Sequence, residues 1–130
     1  MTSRILIIDD DRMVRETLCS ILSAAGFDAT SAEDGEAGVS KHRRTPFDLI
    51  ITDILMPGKE GIETIIDLRR NDPGSKVVAI SGGSGFGIGS YLPMALKLGA
   101  AAALQKPFTP AALLATVNRL LTPPAPAAAY

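Results

Sequence analysis

The stretch RILIIDDD, residues 4–11, decides the fold of this chain. Its apolar residues are consecutive and mostly branched, and they do not alternate with polar ones, which is the pattern of a strand covered on both faces. Leu49 to Ile51 and Val77 to Ile80 repeat this pattern. Ala100 to Leu104 and the half-polar Phe27 to Ser31 are weaker versions of it. Together these runs predict a parallel sheet with helices on both of its faces.

Helical patterns alternate with the predicted strands. The clearest covers residues 14–25, where apolar residues return at the spacing of one buried helix face and Gly26 follows as a left-handed stop. Further patterns predict helices over residues 34–44, around Ile62 to Ile66, between Ser90 and Gly99, and from Pro110 to Leu121, and the expected N-terminal caps are Asp11, Asp34 and Thr109. A strand followed by a helix thus occurs five times, and each parallel connection is expected to be a right-handed crossover. The predicted fold class is α/β.

The size and composition of the chain suit one domain. Its 130 residues, of which 46% are hydrophobic and 21% charged, are enough for a single core. We expect residues 1–121 to form that domain and the proline- and alanine-rich residues 122–130 to be a disordered tail. The formal net charge of -1 gives no overall field toward nucleic acid or anionic lipid. Because Cys19 is the only cysteine and the sequence has no secretory signal or membrane-spanning run, we expect a cytoplasmic protein without membrane insertion.

Acidic, hydroxyl and basic side chains stand at the ends of the predicted strands. Asp9 and Asp10 follow the first strand and Asp53 follows the third. Ser81 follows the fourth strand, and Lys106 lies just past the fifth. Parallel strands carry their C-terminal ends to one edge of the sheet, and ligands bind in the crevice outside that edge. Each residue alone is more simply a cap or a turn former, but their convergence predicts one site.

The chemistry of this predicted site is that of a metal ion and a phosphoryl group. Clustered carboxylates repel one another, so either their pKa values rise or a cation lies among them. An all-oxygen site with few protein ligands suits Mg²⁺. Beside the ion, one carboxylate can act as a nucleophile toward phosphorus while the ammonium group of Lys106 shares the charge of the incoming group. Phosphoryl transfer needs mainly positioning and charge neutralisation, so this small set of side chains is sufficient for it.

Three motifs in the chain are Ile7-Ile8-Asp9-Asp10-Asp11, Asp53-Ile54-Leu55-Met56-Pro57 with Gly61, and Lys106-Pro107-Phe108. In this order and at these separations they resemble the receiver domains of two-component response regulators, and the similarity covers about residues 4–121. The resemblance implies a flavodoxin-like (βα)5 fold, with a doubly wound parallel sheet of five strands in the order 2-1-3-4-5.

The resemblance also assigns roles to the residues of the predicted site. It makes Asp53 the phosphoacceptor and implies that Asp10 and Asp53 bind Mg²⁺ directly. Asp9 would help through water, and the backbone carbonyl of Leu55 would be a further ligand. Lys106 would contact a phosphoryl oxygen. These roles make Mg²⁺ the expected cofactor.

Switching in this family depends on a hydroxyl residue and a bulky neighbour. Ser81 would supply the hydroxyl that moves toward the phosphoryl group, and Pro107 is expected to follow a cis peptide bond. Three residues before the lysine the family usually has an aromatic or other bulky side chain, whereas this chain has Ala103. The output surface must then respond through another element, and residues 82–89, with five glycines, are the candidate. That loop is either a lid or partner site, or only a flexible connection.

The function implied by the resemblance is that of a stand-alone receiver. A sensor histidine kinase or a histidine phosphotransfer protein would phosphorylate Asp53. The modified protein would bind an unidentified downstream protein or act in a phosphorelay, as a monomer or a phosphorylation-dependent dimer, without direct contact with nucleic acid. It is not expected to be an enzyme beyond phosphorylating and dephosphorylating itself.

Two alternatives stay open. A degenerate receiver would keep the fold as a protein-interaction module, and Ala103 together with the glycine loop keeps this alternative open for the output step. A phosphohydrolase would use the same aspartyl nucleophile, but Leu55 stands where such enzymes typically have a second aspartate to protonate the leaving group. The basic run Lys41-His42-Arg43-Arg44 is expected to be a solvated helix end rather than a binding site.

Overall fold

Strands and helices alternate along the part of the chain that the computed structural model describes, which is residues 2–54, 61–82 and 91–121. The strands are β1 (Arg4–Ile8), β2 (Asp28–Ala32), β3 (Leu49–Asp53), β4 (Val77–Gly82) and β5 (Ala102–Lys106). The helices are α1 (Arg12–Ala24), α2 (Gly35–Arg44), α3 (Gly61–Asn71), α4 (Tyr91–Lys97) and α5 (Pro110–Leu121). The predicted alternation of strand and helix is confirmed.

The strands form one parallel sheet in the order β2-β1-β3-β4-β5. This is the order that the family resemblance implied, and it is confirmed together with the α/β fold class. Ile7 pairs with Ile51, and Asp53 pairs with Ile80 one strand further along. All strand C-termini therefore lie at the same edge of the sheet.

The core consists of two layers, because the sheet is buried on both faces. Ile5 and Ile7 face one layer, where they pack with residues of α1 and α5. Leu6 and Ile8 face the other layer, with residues of α2 and α3. All four side chains are completely buried. The apolar run shows no alternation because both faces of the strand are buried. Burial of each side chain stabilises the fold by about 1.5–3 kcal/mol.

Three helices begin directly after the capping residues that the sequence predicted. Asp11 caps α1 by accepting from the backbone N–H groups of Met13 and Val14, and Asp34 caps α2 by accepting from Ala37. The Thr109 hydroxyl likewise accepts from the N–H of Ala112 in the first turn of α5.

Helix α2 forms although it contains a glycine in its interior. Gly38 lowers the helix propensity of α2, yet the helix forms. A Cβ atom at this position would clash with the Cδ1 atom of Ile8, so the glycine lets α2 lie close against β1.

Strand ends and the basic run differ from the sequence predictions. Strands β3, β4 and β5 continue through Asp53, Gly82 and Lys106, because backbone pairing does not stop where the apolar run stops. The basic run is not uniformly solvated, since only 3% of His42 is exposed. Its Nδ1 atom accepts from the N–H of Phe47, and its Nε2 atom lies 3.0 Å from a carboxylate oxygen of Asp72. The expectation of a solvated run was therefore wrong for His42.

Several expectations concern residues outside the described ranges. They are the metal-ligand role of Leu55, the Met56-Pro57 motif, residues 83–89 of the glycine loop and the tail 122–130. Within the described ranges, no helix combines the length and apolar character that a bilayer crossing needs.

Candidate functional site

Three carboxylates and one ammonium group meet at the C-terminal edge of the sheet. Asp9 and Asp10 follow β1, and Asp53 is the last residue of β3. Each of the three offers a carboxylate oxygen that lies within 4.8 Å of the other two. Lys106, at the end of β5, places its Nζ atom 3.4 Å from an oxygen of Asp9 and 3.7 Å from an oxygen of Asp53. The edge of the parallel sheet thus brings together residues that are far apart in sequence.

Each backbone and side-chain polar group of Asp9 has a hydrogen-bond partner. Its backbone N–H donates to the carbonyl of Ala32 at 3.2 Å, and its Oδ1 atom accepts from the N–H of Asp11 at 2.9 Å. Its Oδ2 atom faces Lys106, and its carbonyl accepts from Arg15 at 2.8 Å. The residue is completely buried. Asp9 is therefore a fixed part of the site.

Burial raises the pKa of Asp9 above its ordinary value. The hydrogen bond from Asp11 and the charge of Lys106 act in the opposite direction but do not cancel the desolvation, and the neighbouring charge of Asp10 adds to the rise. The negative charge at this position is thus incompletely compensated by the protein. A cation bound among the carboxylates would supply the missing compensation.

Asp10 and Asp53 differ in their surroundings. Asp10 is exposed, and no described side chain pairs with its carboxylate. Asp53 is 7% exposed and lies beside Lys106. One carboxylate is therefore open to solvent, while the other is recessed next to a cation.

Ser81 lies between the two strand ends that carry Asp53 and Lys106. It belongs to β4, which pairs with β3 on one side and β5 on the other. It pairs in register with Gln105, the residue before Lys106, and it is completely buried. Its backbone position fits the hydroxyl residue that the sequence predicted there. The peptide bond between Lys106 and Pro107 is cis, which confirms that expectation.

Gly61 lies directly against the backbone at the end of β3, next to Asp53. Its N–H donates to the carbonyl of Ile54 at 2.8 Å, so α3 begins directly against the end of β3. A Cβ atom at residue 61 would lie 2.7 Å from that carbonyl oxygen and would meet the Asp53 carbonyl oxygen more closely still. Only glycine permits this approach, which gives a physical reason for its place in the motif.

The donor atoms of the site fit a magnesium ion. Carboxylate oxygens are the ligands that Mg²⁺ prefers, and it commonly uses only one or two from the protein. The exposed carboxylate of Asp10 and the recessed one of Asp53 meet this requirement, and the raised pKa of Asp9 indicates a place where positive charge is favourable. The predicted ligand Leu55 lies outside the described residues.

A groove beside Lys106 was not predicted from the sequence. It has a volume of about 390 Å³ and lies between residues 13–21 of α1 and the segment that joins β5 to α5. Its lining is mostly apolar and includes Met13, Leu18, Pro107 and Phe108. Met13 is 76% exposed, more than any other large apolar side chain among the described residues. An apolar residue in the first turn of an otherwise amphipathic helix is the sequence feature from which the groove could have been predicted.

A family model of the response regulator receiver domain matches residues 5–118. The chain belongs to this family, as the three motifs predicted. It is a receiver domain of the CheY-like kind found in two-component systems.

Particular relatives show how far the similarity extends. The chemotaxis protein CheY of Thermotoga maritima is 31% identical, and the match covers 92% of this chain and 98% of that protein. The transcriptional regulatory protein CpxR of Klebsiella pneumoniae is 32% identical over 92% of this chain, which spans 49% of CpxR. The solved structure of the chemotaxis protein CheY4 of Vibrio cholerae has a TM-score of 0.83 and 27% identity, covering 93% of this chain and all of CheY4. The likeness therefore extends over a whole CheY and over about half of CpxR.

Proposed function

We propose that this receiver domain accepts a phosphoryl group on Asp53 in a Mg²⁺-dependent reaction and signals through the modified form. The donor is a sensor histidine kinase or a histidine phosphotransfer protein. The observation that carries the proposal is the Lys106 ammonium 3.7 Å from an Asp53 oxygen, next to carboxylate oxygens that all lie within 4.8 Å of one another.

Each side chain has a part in the transfer. An oxygen of Asp53 attacks phosphorus, and the phosphorus–nitrogen bond of the donor histidine breaks as the new oxygen–phosphorus bond forms. Bound Mg²⁺ would neutralise charge on the phosphoryl oxygens, with Asp10 and Asp53 as its direct ligands, Asp9 acting through water and the Leu55 carbonyl completing the protein set.

Two further side chains respond to the incoming group. Lys106 pairs with a phosphoryl oxygen and neutralises part of its charge. The Ser81 hydroxyl then turns to the same group and reports its arrival. These steps modify the chain itself, and no independent substrate is required.

The apolar groove beside Lys106 is the surface on which a helix of the donor docks. The donor histidine must reach Asp53, so its protein has to cover the surface that adjoins the site. Met13 and Phe108 offer apolar contacts there, and an amphipathic helix fits such a groove.

The phosphorylated form acts by binding another protein or by passing the group on. Ala103, which is partly buried on β5, offers no bulky side chain to rotate, so the output runs through another element. Residues 82–89 are the proposed element. The intact set of Asp9, Asp53 and Lys106 favours this phosphoacceptor function over a receiver that retains only the fold.

Mass spectrometry tests the proposal. Incubation with Mg²⁺ and a small-molecule phosphodonor such as acetyl phosphate should add one phosphoryl group, and Asp53→Asn should abolish the addition. Asp28→Asn is the matched control, because it removes an exposed carboxylate at the opposite edge of the sheet. Equal labelling of wild type and Asp53→Asn would exclude Asp53 as the acceptor.

A further inference from the structure

We propose that Arg15 is a positioning residue that holds Asp10 in place for the cation. This inference rests on the proposed function, because it concerns the Mg²⁺ site of the same phosphoacceptor. It assigns a role to a side chain that lies six positions after Asp9 and belongs to none of the motifs described above.

Among the residues that the structure describes, only the backbone around Asp10 holds the direction of its side chain. Within residues 2–54, 61–82 and 91–121, no side chain pairs with its carboxylate. Within this part of the chain, its orientation depends on the two peptide groups that flank it. One contains the carbonyl of Asp9, and the other contains the N–H of Asp11.

Both of these peptide groups are anchored. The N–H of Asp11 donates to the Asp9 carboxylate at 2.9 Å, which fixes the peptide group after Asp10. The carbonyl of Asp9 accepts from the Nη1 atom of Arg15 at 2.8 Å, which fixes the peptide group before it. Without Arg15, the peptide group before Asp10 would lose its side-chain anchor.

Arg15 binds both ends of the acidic tripeptide. Its own backbone N–H donates to the carbonyl of Asp11 at 3.0 Å, while its side chain reaches back to the carbonyl of Asp9. Arg15 also lies on a helix whose start is fixed by the Asp11 cap. The side chain is partly buried and lies near the half-buried Cys19, where its charge opposes the rise that burial gives to the pKa of the thiol. A donor held in this way can keep the loop from Asp9 to Asp11 in one conformation.

Charge and positioning predict opposite effects of removing Arg15. A guanidinium group near the carboxylates repels a divalent cation, so its loss would strengthen Mg²⁺ binding if only charge mattered. Loss of the hydrogen bond to Asp9 frees the peptide group before Asp10 and would weaken binding. The sign of the change in affinity therefore decides between the two accounts.

The test compares Mg²⁺ affinity, measured by calorimetry without any phosphodonor, in wild type, Arg15→Met, Arg15→Lys and Arg12→Met. Arg12 is the matched control, since it lies on the same helix and pairs with Glu16 at 2.9 Å, with 82% of its side chain exposed. We expect Arg15→Met to weaken Mg²⁺ binding about tenfold, as is typical for partners that orient metal ligands. Arg15→Lys should recover part of the loss, and Arg12→Met should leave the affinity unchanged.

A second measurement separates local positioning from general destabilisation. Backbone NMR order parameters of the metal-free protein should fall at Asp10 and Asp11 in Arg15→Met and stay at wild-type values in Arg12→Met. Unfolding free energies of all variants are measured alongside, and Arg15→Gln replaces Arg15→Met if the latter does not fold. Affinity and order equal to those of Arg12→Met, or tighter binding, would overturn the inference.

The outcomes also separate this inference from the proposed function. If wild type takes up no Mg²⁺, the proposed function fails and the role of Arg15 fails with it. If wild type binds Mg²⁺ and is phosphorylated while Arg15→Met binds equally well, only the role of Arg15 is wrong.

Discussion

Replacing Gly61 with alanine tests how closely α3 must approach the end of β3. A Cβ atom at this position would lie 2.7 Å from the carbonyl oxygen of Ile54, whereas ordinary contact begins at 3.4 Å, so the shortfall there is 0.7 Å (3.4 minus 2.7). The carbonyl oxygen of Asp53 and the Cα atom of Ile54 would be closer still. These atoms belong to the backbone at the end of a buried strand. The start of α3 must therefore move away.

The cost follows from this overlap. Overpacking against a fixed backbone costs about 3 kcal/mol at the upper end of its usual range. Moving the helix also breaks the 2.8 Å hydrogen bond from Gly61 to Ile54, which costs about 1 kcal/mol more. Alanine has a better helix propensity than glycine and returns at most about 1 kcal/mol. The net loss of unfolding free energy is about 3 kcal/mol, and Tm should fall by about 10 °C.

Urea denaturation of wild type, Gly61→Ala and Gly26→Ala measures this loss. Gly26 has a φ of 95°, and a Cβ atom there would meet nothing within 4 Å, so its replacement costs about 1 kcal/mol for the backbone conformation alone. At temperatures where both variants are folded, Gly61→Ala should be phosphorylated more slowly than Gly26→Ala because it displaces the carbonyl of Asp53. A Gly61→Ala protein whose unfolding free energy stays within about 0.5 kcal/mol of wild type would refute the reasoning.

Two further predictions concern Asp9 and Met13. Because burial raises the pKa of Asp9 in the folded state, its ionised form opposes folding above that pKa, and the penalty disappears as the pH falls through the folded pKa toward the ordinary value of 3.8. Asp9→Asn should therefore unfold at a higher urea concentration than wild type at neutral pH without Mg²⁺, and the difference should shrink in acid; a less stable variant at neutral pH would contradict this. Met13→Lys places a charge in the apolar groove, so transfer from a histidine phosphotransfer protein should slow about tenfold while labelling by acetyl phosphate stays unchanged. Equal slowing with both donors would place the effect in the site rather than in docking.

Much of the fold could be predicted because its causes are local. The unbroken apolar run of residues 4–8 reports burial on both faces, and the caps Asp11 and Asp34 are read from their positions before helical patterns. Strand ends were less predictable because the hydrogen-bond ladder continues through polar residues such as Asp53 and Lys106.

The remaining features depend on side-chain contacts that the sequence pattern does not show. His42 looked like one member of a basic run, but its partners Phe47 and Asp72 lie in the connection before β3 and directly after α3. Arg15 belongs to none of the motifs, yet its side chain donates to the carbonyl of Asp9. No local sequence pattern predicts these contacts.

The assembly of the site from separate strand ends has a consequence for biosynthesis. Asp53 leaves the ribosome well before Lys106, and the strand that carries Lys106 is the last to join the sheet in sequence order. A nascent chain that contains only β1 to β4 has the Asp53 carboxylate but lacks the Lys106 ammonium group that lies beside it. The complete site thus forms only after β5, the last of the described strands in sequence order, has joined the sheet.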